Sequence, residues 1–179
     1  VLENNNVLYC SAGYGGLVLL DVTSPSNPQI IKKIDSLDIS GTGNLVGDIV
    51  ISNDYLFAAT NSGFVVFDIS NVLSPQEVKY VELDNTMGLL VYNDYLIVQA
   101  DENVAYDISD PSNPSQTALS SDEINSILNN VSFGKPSSYE YGNYTYSITK
   151  NVDSKLVIKD STDTTVGSYT IPANSIGFG

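Results

Sequence analysis

Apolar and polar residues alternate in a pattern that recurs along the chain. The clearest copy has an alternating run at Gly47–Ser52, two mostly apolar runs at Tyr55–Thr60 and Phe64–Ile69, and an alternating run at Glu77–Leu83. The middle runs are rich in β-branched and aromatic residues, and Asn, Asp and Gly separate the first three runs. This pattern predicts four short strands in one repeat.

Two further copies follow the same plan. In the next repeat we predict strands at Met87–Tyr92, Tyr95–Ala100, Val104–Ile108 and Ser115–Leu119. A divergent repeat near the C-terminus predicts strands at Ser138–Tyr141, Tyr144–Ile148, Lys155–Asp160 and Thr165–Ile171. Between them, residues 121–130 carry acidic residues at their start, which favours a short helix.

The spacing of matching residues identifies the type of repeat. Tyr55 and Tyr95 are 40 residues apart, whereas Tyr9 and Tyr55 are 46 apart, with a polar, Gly-rich insertion at 36–47. Four-stranded repeats of about 40–45 residues are typical of β-propeller blades. We therefore predict an all-β fold of about four blades, each a four-stranded antiparallel sheet.

The repeats divide the chain into a single repeat domain, residues 1–179. Their approximate bounds are 1–36, 47–84, 85–120 and 131–172. The first repeat lacks an obvious opening strand, while residues 173–179 resemble the opening strand of a repeat. Either this segment completes the first repeat and closes a small ring, or the chain is a section of a larger propeller. We favour the section, because four blades is near the lower limit for a propeller.

A phrase shared by three repeats carries a family resemblance. It occupies Gly16–Pro28, Gly63–Pro75 and Asn103–Pro114, and its first copy contains Gly-Leu-Val-Leu-Leu-Asp-Val followed by Thr-Ser-Pro-Ser-Asn-Pro. It resembles the LVIVD-repeat family of bacterial and archaeal cell-surface or secreted proteins. The resemblance implies a β-propeller and an extracellular or cell-surface location. It implies no catalytic residues, because the family has no general catalytic motif.

Charge limits the class of partner. The chain has 21 acidic residues and seven lysines, no arginine, and a net charge of −14. Such a surface repels nucleic-acid phosphates and anionic lipids. It fits either a secreted protein or simple solubility. No run approaches the length of a membrane-spanning helix. The single cysteine, Cys10, lies in an apolar run and is expected to be a buried apolar residue.

Missing residue types exclude several chemistries. Without histidine, neither a Ser-His-Asp nor a Cys-His mechanism can form, and imidazole metal sites are excluded. Without arginine there is no bidentate clamp for carboxylates or phosphates. A pair of carboxylates could in principle cleave glycans, but nothing in the sequence singles out a pair. We expect no enzyme activity, catalytic residue or cofactor-binding residue.

Recurring carboxylates allow two interpretations. Asp21, Asp68 and Asp107 each end an apolar run and precede a Ser or Thr two residues later, which predicts a structural role in the following turn. The second interpretation is a weak Ca²⁺ site. Its candidate ligands are Asp101, Glu102, Asp107 and Asp110.

Tyrosines and asparagines add two surface features. Four tyrosines lie between Tyr139 and Tyr146, and they are either a platform for stacking sugar rings or an array of cross-strand pairs. The triplets at Asn130–Ser132 and Asn143–Thr145 match the acceptor pattern for N-glycosylation, and the sequence leaves their use open.

These observations predict a non-catalytic extracellular or cell-surface propeller. It would act as a structural or protein-interaction module, with a protein partner or self-association and no nucleic acid. The alternative is a carbohydrate-binding or glycan-active module that uses tyrosine platforms and carboxylates.

Overall fold

The computed structural model of the chain describes residues 2–40, 45–131, 138–149 and 154–171. These residues form four antiparallel sheets of four strands each, and within every sheet the strands are neighbours in chain order. One α-helix and one short 3-10 turn, Ser36–Asp38, complete the regular structure in these ranges. The predicted all-β class with four-stranded, blade-like sheets is confirmed.

The strands have the following bounds. Sheet 1 contains β1 (Leu2–Asn4), β2 (Val7–Ser11), β3 (Leu17–Asp21) and β4 (Gln29–Ile34). Sheet 2 contains β5 (Val46–Ser52), β6 (Tyr55–Thr60), β7 (Gly63–Asp68) and β8 (Gln76–Glu82). Sheet 3 contains β9 (Gly88–Tyr92), β10 (Tyr95–Gln99), β11 (Val104–Asp107) and β12 (Ser115–Gln116), and helix α1 (Ser121–Leu128) follows it. Sheet 4 contains β13 (Ser138–Tyr141), β14 (Tyr144–Thr149), β15 (Ser154–Asp160) and β16 (Thr165–Ile171).

The first repeat does have an opening strand, which corrects the prediction that it lacks one. In β1, Leu2 pairs with Tyr9 and Asn4 pairs with Val7. Asn5 and Asn6 form the tight turn, both with positive φ (53° and 62°). Two such residues suit a two-residue hairpin turn, so three residues before it are enough to pair. Residues 173–179, assigned from the sequence to a next or first repeat, lie outside the described ranges.

The last strand of the third repeat is shorter than predicted. Pairing in β12 covers two residues, although the amide of Thr117 still donates to the Ala105 carbonyl at 2.9 Å. The chain then leaves the sheet, because Ser120 caps helix α1. The Ser120 hydroxyl accepts from the Glu123 amide while the Glu123 carboxylate accepts from the Ser120 amide, which is a capping box. The predicted helix after the third repeat is thereby confirmed.

The position of a strand within its sheet decides its burial. The inner strands β2, β6 and β7 are buried along almost their whole length, whereas the outer strands β4 and β8 contain only exposed and half-buried residues. A strand covered on both faces needs an apolar side chain at nearly every position. This explains why the middle runs of each repeat hardly alternate.

The described residues form two compact units. In the first unit, side chains of sheets 1 and 4 share one core. Its buried members are Leu8, Cys10, Ala12, Val18, Leu20, Val22, Tyr146, Leu156 and Ile158. The fourth sheet thus has the same packing role as the others, although its sequence has diverged most.

The second unit contains sheets 2 and 3 and helix α1. Sheets 2 and 3 share a core in which the rings of Phe64 and Tyr106 meet edge to face, with centroids 5.0 Å apart. The other face of sheet 3 packs against the helix through Ile97, Ala105 and Ile124. Sheet 3 is therefore covered on one face by a sheet and on the other by a helix.

Candidate functional site

A recurring aspartate ends the third strand of each sheet. The Oδ1 atoms of Asp21, Asp68 and Asp107 accept hydrogen bonds from the amides of Thr23, Ser70 and Ser109 at 2.8, 2.9 and 2.8 Å. In each case the Ser or Thr side chain and then its amide lower the pKa of the aspartate. The three carboxylates are therefore fixed acceptors of local turns.

Each of these aspartates is followed by a turn that contains a proline or directly precedes one. The turns over 24–27, 71–74 and 110–113 each close with an amide donating to the carbonyl three residues earlier, at 2.9, 2.9 and 3.1 Å. The residue after each aspartate donates to the facing hairpin, as Ile69 does to the Asp54 carbonyl at 2.8 Å. This geometry accounts for the repeated aspartates by folding alone.

Asp160 is the fourth member of this set, and it is not among the aspartates predicted from the sequence. Its Oδ1 accepts hydrogen bonds from the Thr162 amide at 2.9 Å, the Thr162 hydroxyl at 2.7 Å and the Thr164 amide at 3.1 Å. The same groups, with the Thr162 hydroxyl first, lower its pKa. No proline follows Asp160 as one follows the other three aspartates. The Asp-x-Thr spacing at residues 160–162 is the sequence signal that could have identified it.

The proposed calcium ligands do not form one group. Asp101 and Glu102 precede β11, whereas Asp107 and Asp110 lie at and beyond its other end. Ca²⁺ ligands must converge to about 2.4 Å from the ion, and a four-residue strand rises about 3.3 Å per residue. In the described ranges, no three Cys, Asp or Glu side chains are placed to hold a metal ion.

Two of these carboxylates have other partners. Asp101 accepts from the Asn85 side-chain amide at 2.9 Å. Asp110 accepts from the Ser112 amide at 3.1 Å and from its hydroxyl at 2.6 Å. Asp101 and Asp110 thus hydrogen-bond to nearby loop and turn residues, and the four candidate ligands offer Ca²⁺ no shared centre.

Cys10 lies in the core of the first unit, as we predicted. Its side chain is fully buried, and burial raises the pKa of its thiol to about 12. A thiol with this pKa is almost never ionised at neutral pH, and the thiolate is the reactive form. Cys10 is therefore not a nucleophile in the folded protein.

The structure limits the sugar-stacking platform, which was one of the two interpretations of the tyrosines. Tyr146 is fully buried and packs with Leu156 and Ile158, and Tyr144 is half-buried against the same core. Tyr146 lies directly opposite Ile158 on β15, which explains its burial. The side chains of Tyr139 and Tyr141 lie outside what the structure describes. The tyrosine at position 146 is thus a core residue and cannot stack on a sugar.

An open polar concavity of about 360 Å³ lies at one end of sheet 4. Its walls come from the turn between β13 and β14 and from the turn between β15 and β16. The polar residues that line it include Glu140, Asn143, Asp160 and Asp163, with Tyr144 as the aromatic member. Such a lining could hydrogen-bond to hydroxyl groups of a ligand.

Asp48 joins sheets 2 and 3 within the second unit. Its Oδ2 accepts from the Leu89 amide at 3.0 Å and its Oδ1 from its neighbour Ile49 at 2.9 Å. The corresponding position of the third repeat is Gly88. No local pattern predicts this bond, because its partner is 41 residues away.

Leu73 breaks the repeat in another way. In the turns after the recurring aspartates, its position is occupied by Ser26 in the first repeat and Ser112 in the third. Its side chain is 71% exposed, the highest value among the exposed large hydrophobic residues. Its amide donates to Asn71 Oδ1 at 3.1 Å, as the amide of Ser112 donates to Asp110. The turn therefore has the same geometry with serine, and nothing in it requires leucine.

Helix α1 is far too short and polar to cross a bilayer, and no other helix in the described ranges is able to do so.

Comparison with known proteins identifies the repeat. A family model described as "LVIVD repeat" matches residues 5–36, 43–82 and 85–121, which together exceed half of the chain. No curated protein sequence matches the chain.

Several solved structures match the chain at low sequence identity. The chain matches the computationally designed Ika8 protein (11% identity, TM-score 0.48) and BamB from Moraxella catarrhalis (15%, 0.48), covering 94% of itself and 47% of each. It also matches the N-terminal domain of Nup159 (12%, TM-score 0.45), covering all of itself and 45% of that chain. The chain thus spans slightly less than half the length of each.

Proposed function

We propose, starting from the fact that this chain belongs to the LVIVD-repeat family, that it is a non-catalytic module at the cell surface or outside the cell that binds a protein partner. The repeats and their blade-like sheets support a protein-interaction or structural role. Extracellular location is the part of the proposal that rests on the family resemblance and on the acidic, lysine-poor composition.

The observation that carries the proposal is the exposed Leu73. Side chains that recur in every repeat serve the fold, whereas Leu73 replaces a serine that satisfies the same turn. Exposing a leucine to water gains nothing for folding, and its burial against a partner contributes about 1.5–3 kcal/mol. Its neighbour Val72 is half-buried, and Val78 on the outer strand β8 is 42% exposed. The second repeat thus presents more apolar surface than its turn requires.

The state of the potentially reactive groups in the described ranges supports the non-catalytic part. The recurring aspartates are engaged by turn amides, Cys10 is buried, and the chain contains neither histidine nor arginine. The proposed function requires no cofactor.

Site-specific photo-crosslinking tests the interaction. A photoreactive amino acid is placed at position 73 and, as matched controls, at positions 26 and 112, which occupy the same place in the other two turns. We expect a discrete crosslinked species from position 73 in the native cells, and none from the controls. Equal crosslinking from all three positions, or none from position 73, would contradict the proposal. An adduct at twice the chain's mass would identify the partner as a second copy.

Location is tested separately. A membrane-impermeant amine-reactive biotin reagent applied to intact cells should label the lysines of the protein, and cell lysis should not increase the labelling. Labelling that appears only after lysis would remove the extracellular part of the proposal and leave the interaction intact.

A carbohydrate-binding module is the second candidate, and the concavity on sheet 4 favours it. Glu140 and Asp163 can accept hydrogen bonds from sugar hydroxyls, and Asn143 can both donate and accept. The test is a glycan array with the native chain and with Glu140→Gln and Asp163→Asn. Micromolar binding that both substitutions weaken would favour this candidate, and an array with no binding would remove it.

Calcium binding by the third repeat can be tested directly. Because the candidate ligands Asp101, Glu102, Asp107 and Asp110 do not converge, a titration with millimolar Ca²⁺ is expected to give no heat of binding. A saturable heat would show that these carboxylates bind the ion in a geometry different from the one described.

A further inference from the structure

We propose that Asn143, and not Asn130, is a site of N-linked glycosylation in this protein. This inference rests on the extracellular location proposed above. Both asparagines begin an Asn-x-Ser/Thr triplet, so the acceptor pattern alone does not distinguish them. The structure separates them through the partners of their side-chain amides.

The amide of Asn143 has no partner among the residues that the structure describes. Asn143 and Gly142 form the two-residue turn between β13 and β14, since Tyr141 pairs with Tyr144. The Asn143 side chain is exposed and makes no hydrogen bond to any residue that the structure describes. It also lies on the wall of the open concavity on sheet 4.

The third residue of the triplet lies close to the same hairpin end. Thr145 is the second residue of β14, opposite Glu140 on β13 and Lys159 on β15. Its hydroxyl has no partner in the described part of the chain. An enzyme that reads Asn143 and Thr145 together therefore needs to open only the first residues of β14. Opening at the end of a hairpin is among the least costly local motions of a folded protein.

Asn130 is held differently. It follows helix α1, and its side-chain Nδ2 donates to the Ser126 carbonyl at 2.9 Å. Its backbone amide donates to the Ile127 carbonyl at 3.0 Å. The nitrogen that would have to attack a sugar is therefore engaged with the last turn of the helix. Using it requires the helix end to open first.

The reaction joins the asparagine to a sugar. The co-substrate is an oligosaccharide linked to a lipid through pyrophosphate. Nδ2 of Asn143 attacks the anomeric carbon of the first sugar, a carbon–nitrogen bond forms, and the bond from that carbon to the pyrophosphate oxygen breaks. The amide gives up one proton, and the lipid pyrophosphate leaves with the bonding electron pair. No oxidant or reductant is needed.

The test uses the full folded chain with a purified single-subunit oligosaccharyltransferase and a lipid-pyrophosphate oligosaccharide. Two synthetic peptides, residues 125–135 and 139–149, are the unfolded controls. Site occupancy is measured by intact mass and by glycopeptide sequencing. We expect both peptides to be modified, and the folded chain to be modified at Asn143 at least about tenfold faster than at Asn130.

Matched variants complete the design. Asn143→Gln and Thr145→Ala should each abolish the added mass, Thr145→Ser should retain it, and Asn130→Gln should leave it unchanged. Modification of the folded chain at Asn130 alone, at equal rates at both sites, or at neither site while the peptides react, would overturn the inference. Because this assay does not depend on where the protein resides, its failure is distinguishable from failure of the surface-labelling experiment.

Discussion

Phe64 offers the most direct test of how sheet 2 packs against sheet 3. Its side chain is fully buried in the core that the two sheets share, 5.0 Å from the Tyr106 ring and 6.4 Å from the Phe57 ring, measured between centroids. Replacing a buried phenylalanine with alanine costs about 3–5 kcal/mol through lost burial and the cavity left behind. This is a large part of the roughly 5–15 kcal/mol that stabilises a domain.

The expected change is large enough to measure by two methods. Phe64→Ala should lower the urea midpoint and reduce the melting temperature by about 6–20 °C, at about 2–4 °C per kcal/mol for a chain of this size. Circular dichroism at wavelengths that report strands follows both transitions. The control is Val78→Ala on the outer strand β8, where 42% exposure predicts a change within about 0.5 kcal/mol.

A double-mutant cycle isolates the contact between the sheets. Phe64→Leu and Tyr106→Leu keep most of the buried apolar surface but remove the edge-to-face pair. Their coupling should be about 0.5–1.5 kcal/mol, because the rings meet at 76° and at a favourable separation. Additive effects of the two substitutions, or a cost below about 1 kcal/mol for Phe64→Ala, would refute the packing of the two sheets described above.

Three further predictions concern the turns and the thiol. The pKa of Asp68 is lowered from 3.8 in the folded state, so its charge stabilises the fold above pH 3.8. This contribution is lost as the pH falls through the folded pKa. The urea midpoints of wild type and Asp68→Asn should therefore differ at pH 6 and converge in acid. Gly63→Ala should destabilise the chain clearly in thermal melts, because Gly63 has φ 142° and a Cβ there would collide with the Val81 carbonyl, whereas Gly47→Ala, with ordinary contacts, should be far milder. Cys10 should react with a thiol reagent at neutral pH only in unfolding concentrations of urea, and rapid labelling of the native chain would contradict its burial.

Local signals were enough to predict most of the strands. In the second repeat, the predicted and observed strands differ by at most one residue at either end, because Asn53, Asp54 and Gly63 mark turns between long apolar runs. The same signals failed for β1, where three residues pair only because the two asparagines after them adopt positive φ. A strand that short has no periodicity to detect.

Contacts between distant residues explain what the sequence could not predict. Tyr146 is part of an alternating tyrosine pattern that also fits a surface, and only its pairing opposite Ile158 places it in the core. Asp48 looks like any acidic residue near the start of a strand until Leu89, 41 residues later, is brought to its carboxylate. The separation of Asp101 and Asp107, in contrast, already followed from the strand predicted at Val104–Ile108, because they lie on either side of its residues.

The repeats provide a way to separate folding from function within one chain. Asp21, Asp68, Asp107 and Asp160 accept the same kind of turn hydrogen bond in four sheets, so the fold requires them and they indicate nothing about a ligand. A residue that departs from its counterparts has two physical explanations. Asp48 departs from Gly88 and acquires a bond between sheets, so its departure serves packing. Leu73 departs from two serines, leaves the turn unchanged and exposes its side chain, so packing within the described residues does not account for it.

By this reasoning, Leu73→Ser should leave the melting temperature unchanged within about 2 °C while abolishing the crosslink from a photoreactive residue placed next to it, at position 72. If Leu73→Ser instead lowers the melting temperature by as much as a core substitution does, the leucine is part of the fold and the proposed contact with a partner loses its basis.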